Sequence, residues 1–218
     1  MIHFDTVSKR YPSGCTALTR VSLRIAEGEM AFLTGRSGAG KSTLLKLAAM
    51  IEKPSLGTIV INGKNTARLS TSQVPKLRQQ MGLILQQPQL LADRTVFDNV
   101  ALPLRMVKVT AKAVADKVHT ALSAMDLLDK SSLLPTTLSS GEQRRVEIAR
   151  AIVHQPKVIL ADEPTANLDQ RTAINVMQLF SALNKMGITI LVATHDLFLI
   201  AAMPYRIFTL KKGALAHG

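Results

Sequence analysis

An eight-residue run, GRSGAGKS at positions 35–42, fits the pattern G-x-x-x-x-G-K-[ST]. It follows a short apolar stretch, MAFLT, and opens a helical pattern, KSTLLKLAAMI. Gly35, Gly38 and Gly40 free the backbone to curl. The N–H groups of the loop, those of Arg36, Ser37 and Ala39 included, can then converge on phosphate oxygens at a helix N-terminus. Lys41 is placed to reach β and γ phosphates, Ser42 to put its hydroxyl on Mg²⁺, and Thr43 to meet the α-phosphate. A second run, VILADE at 158–163, delivers Asp162 and Glu163 at the end of four apolar residues, as at the C-terminal end of a buried strand. There Asp162 would support Mg²⁺ through a water, and Glu163 would orient and polarise a water attacking the γ-phosphate. Neither DxxG nor NKxD occurs in the chain, which disfavours a GTPase.

These groups need a scaffold, and the rest of the sequence reads as one. Val21, Leu23 and Ile25 alternate with polar residues in VSLRIA, the pattern of a half-buried strand. MAFLT (30–34) reads as a buried strand, TIVINGKNT carries an Asn62-Gly63 hairpin turn, and MGLILQ (81–86) is a further apolar stretch. From about 95 to 155 strand signals vanish. Val114, Val118, Leu122 and Met125 fall at helical spacing behind a Thr110 cap. The α/β alternation then returns with VILAD, a helix from about 170 to Met186 stopped by Gly187, ITILVAT (188–194), a short helix, and RIFTL (206–210). This predicts a mainly parallel sheet covered on both faces. The expected organisation is one unit: an α/β core with an N-terminal antiparallel β subdomain over about 1–88 and 156–218, and an inserted helical subdomain over about 89–155.

Composition sets outer limits. With 47% apolar and 19% charged residues in 218, the chain can bury a substantial core, which excludes wholesale disorder. Its longest apolar run, residues 197–203, is far short of the ~18 residues of a membrane-crossing helix. The start, MIHFDTVSKR, lacks the apolar segment of an export signal, so the expected address is the cytosol. A single cysteine, Cys15, excludes an internal disulfide and any cysteine-built metal site. Net charge +12, spread in pairs at most (Lys9-Arg10, Arg144-Arg145, Lys211-Lys212), favours anionic surroundings without choosing among them.

One further motif separates the phosphate-binding classes. LSSGEQ (138–143) precedes a helix read as running to His154, and it resembles the signature loop of ABC-transporter ATPases. The resemblance extends over essentially the whole chain. In family order it takes in Tyr11, the phosphate loop, Gln86, the signature, DEPTANLD (162–169) and His195. It implies a P-loop NTPase fold that hydrolyses ATP with Mg²⁺. Tyr11 would lie against adenine, Gln86 would offer its side-chain oxygen to the metal, and His195 would hold the γ-phosphate, Glu163 and the water in place. Ser139, Ser140 and Gly141 would face the γ-phosphate held by a second copy, and Asp169 would link the two sites, so a homodimer forms on ATP. Ser140 stands where the commonest form, LSGGQ, has glycine, which adds a Cβ near the expected phosphate; Glu142 precedes Gln143.

The resemblance also implies a separate membrane partner. GEMAFLTGRSGAGKSTLLKL, DRTVFDNVALPL and DEPTANLD are most similar to the bacterial cell-division branch, whose permease-like partner is FtsX. ATPases of lipoprotein-release and macrolide-export systems rank second. Leu90, Leu91, Val96, Phe97 and Leu102 are expected to line a groove for a cytoplasmic helix of that partner. The expected location is peripheral, at the cytoplasmic face of the inner membrane, with the basic surface near anionic lipid. A soluble nucleic-acid-bound ATPase is the rival reading, and no nucleic acid partner is expected.

Overall fold

The computed structural model describes residues 1–107 and 109–216. The chain begins with β1 (Ile2–Arg10), β2 (Thr16–Ile25) and β3 (Met30–Thr34), followed by α1 (Lys41–Ala48). Then come β4 (Leu56–Ile61), β5 (Lys64–Asn65), α2 (Gln73–Arg78) and β6 (Met81–Ile84). Between β6 and β7 the described residues form helices and loops: α3 (Val96–Arg105), α4 (Ala111–Ser123) and α5 (Ser140–Ile152). β7 (Val158–Asp162), α6 (Gln170–Lys185), β8 (Thr189–Ala193), α7 (Leu197–Ala201), β9 (Arg206–Lys211) and β10 (Ala214–Leu215) complete the chain.

Two sheets result. One is antiparallel, in the order β2-β1-β4-β5. Its β4–β5 turn is the expected Asn62-Gly63 pair, with φ of 49° and 73°, as a primed hairpin turn requires. The other has the order β10-β9-β3-β8-β7-β6 and is parallel except at β10. Its central strands are nearly pure apolar runs because both faces are covered. Phe32, Ile159, Ile190 and Val192 join the helical side with Val100, Val118, Ile148 and Phe180. Their neighbours Ala31, Leu33, Leu160 and Leu191 join the opposite core with Leu44 and Leu47 of α1 and Phe4 and Ile59 of the antiparallel sheet.

Helix ends follow the sequence signals. Thr110 caps α4 by accepting from the Ala113 N–H, and Thr95 caps α3 by accepting from the Asp98 N–H. Gly187, at φ 94°, closes α6. Two boundaries depart from the sequence reading. α5 ends at Ile152, with His154 in the turn that follows, and α2 is a short helix that the pattern did not announce.

Candidate active site

The phosphate loop sits where β3 gives way to α1, and its glycines are fixed by what surrounds them. A Cβ on Gly35 (φ 148°) would lie 2.3 Å from the Leu210 carbonyl oxygen of β9. One on Gly40 (φ 106°) would lie 2.6 Å from the carbonyl oxygen of Ala17 in β2. The loop is thus pinned between two strands while Arg36, Ser37 and Gly38 face solvent. Ala39 is buried, its N–H bonded to Arg36 O at 3.1 Å. Gly40 caps α1 with no side-chain hydrogen bond, so the first N–H groups of the helix have no side-chain cap. Lys41 folds back over the loop: its Nζ donates to Gly35 O at 2.7 Å and to Arg36 O at 3.5 Å. An incoming phosphate has to draw this ammonium away from two neutral carbonyls, an exchange that favours the charged acceptor.

The carboxylates arrive on β7. Asp162 is 5% exposed, and burial pushes its carboxyl above the usual range. The Ser42 hydroxyl and the charges of Lys41 and Arg144 pull it back, while Glu163 pushes the same way as burial. Glu163 is turned out of the strand by a left-handed backbone (φ 49°), uncommon for a non-glycine residue. Its side chain is then held at both oxygens: His195 Nδ1 lies 2.7 Å from Oε1, and the Thr194 hydroxyl donates to Oε2 at 3.2 Å. His195 itself is 75% exposed, so much of its ring meets solvent. Thr194 was not among the expected residues, though its place directly before His195 at the end of β8 is the signal that could have found it.

Ser42, Gln86 and Asp162, the three groups expected at a metal, line one cavity of about 210 Å³. All offer oxygen, the donor set of a hard cation such as Mg²⁺, which keeps several waters and phosphate oxygens in its shell, so that Ser42 and Gln86 could reach it directly and Asp162 through a water. Among the described residues no cluster of three His, Cys, Asp or Glu side chains competes for a metal. A buried ion pair that the sequence did not announce backs this cavity. Arg144 and Glu147 of α5, each 1% exposed, meet at 2.7 Å. The Arg144 guanidinium donates to the carbonyls of Leu85 and Gln86, and Glu147 Oε1 accepts from the Leu85 N–H at 3.2 Å. Removing one partner alone would strand a buried charge, at about 3–5 kcal/mol.

The remaining candidates lie further out. The Tyr11 hydroxyl is 3.3 Å from Thr43 Oγ1 and donates to Glu52 Oε1 at 3.2 Å, with the Lys9 ammonium 5.0 Å from the ring centroid. Ser139 is the N-cap of α5 in a capping box: its hydroxyl accepts from the Glu142 N–H at 3.3 Å, and Glu142 Oε2 accepts from the Ser139 N–H at 2.8 Å. Lys130 pairs with Glu142, and this hydrogen bond, with that from the Ser139 N–H, holds the Glu142 carboxyl down at about 2. Ser140 is exposed and is not among the positive-φ residues, so its Cβ costs the backbone nothing. A Cβ on Gly141 would come within 3.1 Å of Asn167 O, in the segment leading to Asp169. Asp169 caps α6 through Thr172, whose N–H donates at 3.0 Å and hydroxyl at 2.6 Å. None of Ser139, Ser140, Gly141 and Asp169 is among the described residues that line the cavity of Ser42, Gln86 and Asp162.

The groove expected beside Gln86 is corrected in its lining. Val96 is fully buried in the helical-side core, because the first turn of α3 points inward, and Leu90 and Phe97 pack against that core. Leu91 is exposed, and of the five only Leu102 lines the apolar groove of about 610 Å³, together with Leu83, Leu85, Met106 and Val107.

The pattern of the family described as ABC transporter matches residues 18–166. The chain belongs to the ABC transporter family. It is 50% identical over 218 residues to the cell division ATP-binding protein FtsE of Escherichia coli (strain K12), covering all of this chain and 98% of that protein. The FtsE of Mycobacterium tuberculosis is 41% identical over 218 residues, covering all of this chain and 95% of that one. Among solved structures, the dimeric bacterial ABC transporter cassette MJ0796 superposes with a TM-score of 0.95 at 35% identity, covering 100% of this chain and 97% of the other. MJ0796 in a dimeric post-hydrolysis state with ADP and Pi gives 0.94 at 34%. The expected P-loop ABC ATPase fold, and the likeness to the cell-division branch, are both borne out.

Proposed function

We propose that this chain is the ATP-hydrolysing subunit of an ABC-type membrane complex in bacterial cell division, working as a homodimer that closes on ATP and opens after hydrolysis. The observation that carries the chemistry is Glu163: turned out of β7 by its left-handed backbone, it is held by His195 at 2.7 Å and Thr194 at 3.2 Å, one peptide from Asp162. The role in division is supported by 50% identity across the chain to a protein named for it.

In this reading Lys41 and the loop N–H groups from Gly35 to Ser42 hold the β and γ phosphates, Thr43 meets the α-phosphate, and Tyr11 supports adenine. Ser42, Gln86 and Asp162 hold Mg²⁺, which when bound neutralises phosphate charge. Glu163 orients a water in line with the γ-phosphorus, and His195 and Thr194 keep that carboxylate from swinging. The water oxygen bonds to phosphorus as its proton passes to Glu163, the bond to the bridging oxygen breaks, and ADP carries off the electron pair. Ser139, Ser140 and Gly141 serve the γ-phosphate of the other copy, with Asp169 at the junction. The exposure of Ser139, Ser140 and Asp169, the place of all four outside their own chain's metal cavity, and the dimeric MJ0796 cassette support that division of labour. Losing the γ-phosphate removes what both copies grip.

The partner that receives this motion is an FtsX-like membrane subunit, seated in the apolar groove that Leu102, Met106 and Val107 help to line. Among the described residues no helix is long and apolar enough to cross a membrane. In this reading the cassette sits peripherally at the cytoplasmic face of the inner membrane, and its net charge of +12 suits anionic lipid, with no nucleic acid partner. Ser139→Arg tests the shared site. Nucleotide affinity of the single chain should stay within about two-fold while turnover falls by about 10² or more, the scale of a lost phosphate clamp. Turnover at the wild-type rate would refute the assignment.

A further inference from the structure

We propose that the buried Arg144–Glu147 pair is the positioning device for Gln86, locking the segment after β6 to the helix that starts beside Ser139, so that any tilt of α5 moves Gln86 within the metal cavity. This rests on the reading of Gln86 as a metal-reaching side chain and goes beyond it by naming what fixes that side chain's backbone.

β6 ends at Ile84, so Leu85 and Gln86 leave the sheet and need other partners for their peptide groups. One turn of α5 supplies them. Residues three apart stand side by side on a helix, and here they present a carboxylate to the Leu85 N–H at 3.2 Å and a guanidinium to the carbonyls of both Leu85 and Gln86. A planar guanidinium fork holds two successive carbonyls and the Glu147 carboxylate in one fixed geometry; a lysine ammonium in its place is a compact charge without that fork. One turn further on, Arg150 donates to Gln89 O at 2.7 Å, so the same face of α5 also holds the continuation of the loop.

Stability does not account for this arrangement. Arg144 Nε is buried without a partner, and an ion pair taken out of water is commonly matched by apolar residues of equal volume. What the pair does supply is a rigid connection at a particular place. Leu85 lines both the cavity of Ser42 and Asp162 and the apolar groove, and Glu147 lines the groove as well. The two peptide groups gripped by α5 therefore form part of the wall between nucleotide side and partner side. A helix seated in the groove presses on the element that sets Gln86, and the helix start that meets the second copy's nucleotide belongs to that same element.

The test uses the full chain and the double variant Arg144→Met with Glu147→Leu, which removes both charges together and keeps apolar volume. In the nucleotide-free protein, exchange of the Leu85 amide should speed up by at least about ten-fold, since its side-chain acceptor is gone. Affinity for a fluorescent ATP analogue without Mg²⁺ should stay within about two-fold, while kcat falls about ten-fold and half-saturating Mg²⁺ rises, the scale expected for a displaced positioning group. Added to Gln86→Ala, the double change should cost nothing more, because both act through one side chain. Unchanged amide exchange, unchanged kcat and Mg²⁺ requirement, or losses that multiply with Gln86→Ala would each overturn the proposal. If Gln86→Ala alone leaves turnover and Mg²⁺ requirement intact, the reading of Gln86 has failed and takes the proposal with it. Should the double variant not fold, Arg144→Lys keeps the charge but not the fork; the same kinetic changes are expected, and wild-type kinetics would refute the grip.

Discussion

Replacing Glu163 by Gln isolates the chemical step from almost everything else. The amide has the shape of the carboxylate, so the left-handed backbone at φ 49° carries the same strain before and after. Its oxygen can still accept from the Thr194 hydroxyl at the present 3.2 Å. The amide nitrogen then faces His195 Nδ1, now 2.7 Å from Oε1, and that ring nitrogen must accept. What is lost is the negative charge that orients and polarises water. A positioned general base contributes about 10²–10⁴-fold, or about 2.7–5.4 kcal/mol of barrier at about 1.36 kcal/mol per decade. Phosphate release at saturating Mg-ATP should fall by that factor. Light scattering on the same samples should show a dimer that persists with ATP, because closure is formed and not discharged. The melting temperature without nucleotide should move by no more than about 2 °C, as expected for a change within 0.5 kcal/mol. Turnover within three-fold of wild type, or a variant that stays monomeric at saturating Mg-ATP, would refute the role of Glu163 and the closure it is meant to release.

Three other outcomes follow from particular contacts. Lys41→Ala removes the only charged group of the loop turned inward onto its carbonyls, and titration with a fluorescent ATP analogue should find binding abolished; wild-type affinity would remove Lys41 from the site. Gly35→Ala drives a methyl to 2.3 Å from Leu210 O at a φ of 148°, so the melting temperature should drop by about 4 °C or more, corresponding to at least about 1–2 kcal/mol; no drop would mean that β9 does not pin the loop. Lys130→Met removes the main group holding Glu142 at about 2, against 4.5 for the free side chain. A depressed carboxyl stabilises above its unfolded value and loses that contribution as pH falls through its folded one. The wild type's advantage in denaturant melts should therefore be full above pH 4.5 and shrink towards pH 2; an advantage constant over that window would contradict the pairing.

The chemistry was the most legible part of the sequence, because phosphate binding needs glycines, a lysine and a hydroxyl in fixed order, and because buried parallel strands leave continuous apolar runs such as MAFLT and VILAD. Contacts made only by the tertiary fold were not legible. In the sequence Arg144 stands out only as half of a basic pair with Arg145, and Glu147 not at all; only the docking of α5 beside Leu85 turns the two inward. Val96 read as a groove residue because it lies near Gln86 in sequence, whereas the angle of α3 sends it into the core. QVPKLR showed no helical period because a single residue, Leu77, is buried in α2. The capping duty of Asp169 towards Thr172 follows from an ordinary helix start, yet the motif around it drew attention to a different role.

Because adjacent residues of the central strands belong to opposite hydrophobic clusters, Phe32 to one and Leu33 to the other, neither half of the molecule owns a wall of its own. Loosening either would strip the support from its twin, so thermal melting has no halfway house. Any flexing during a work cycle should accordingly fall on loops, tilted helices and side-chain tethers and spare the shared partition.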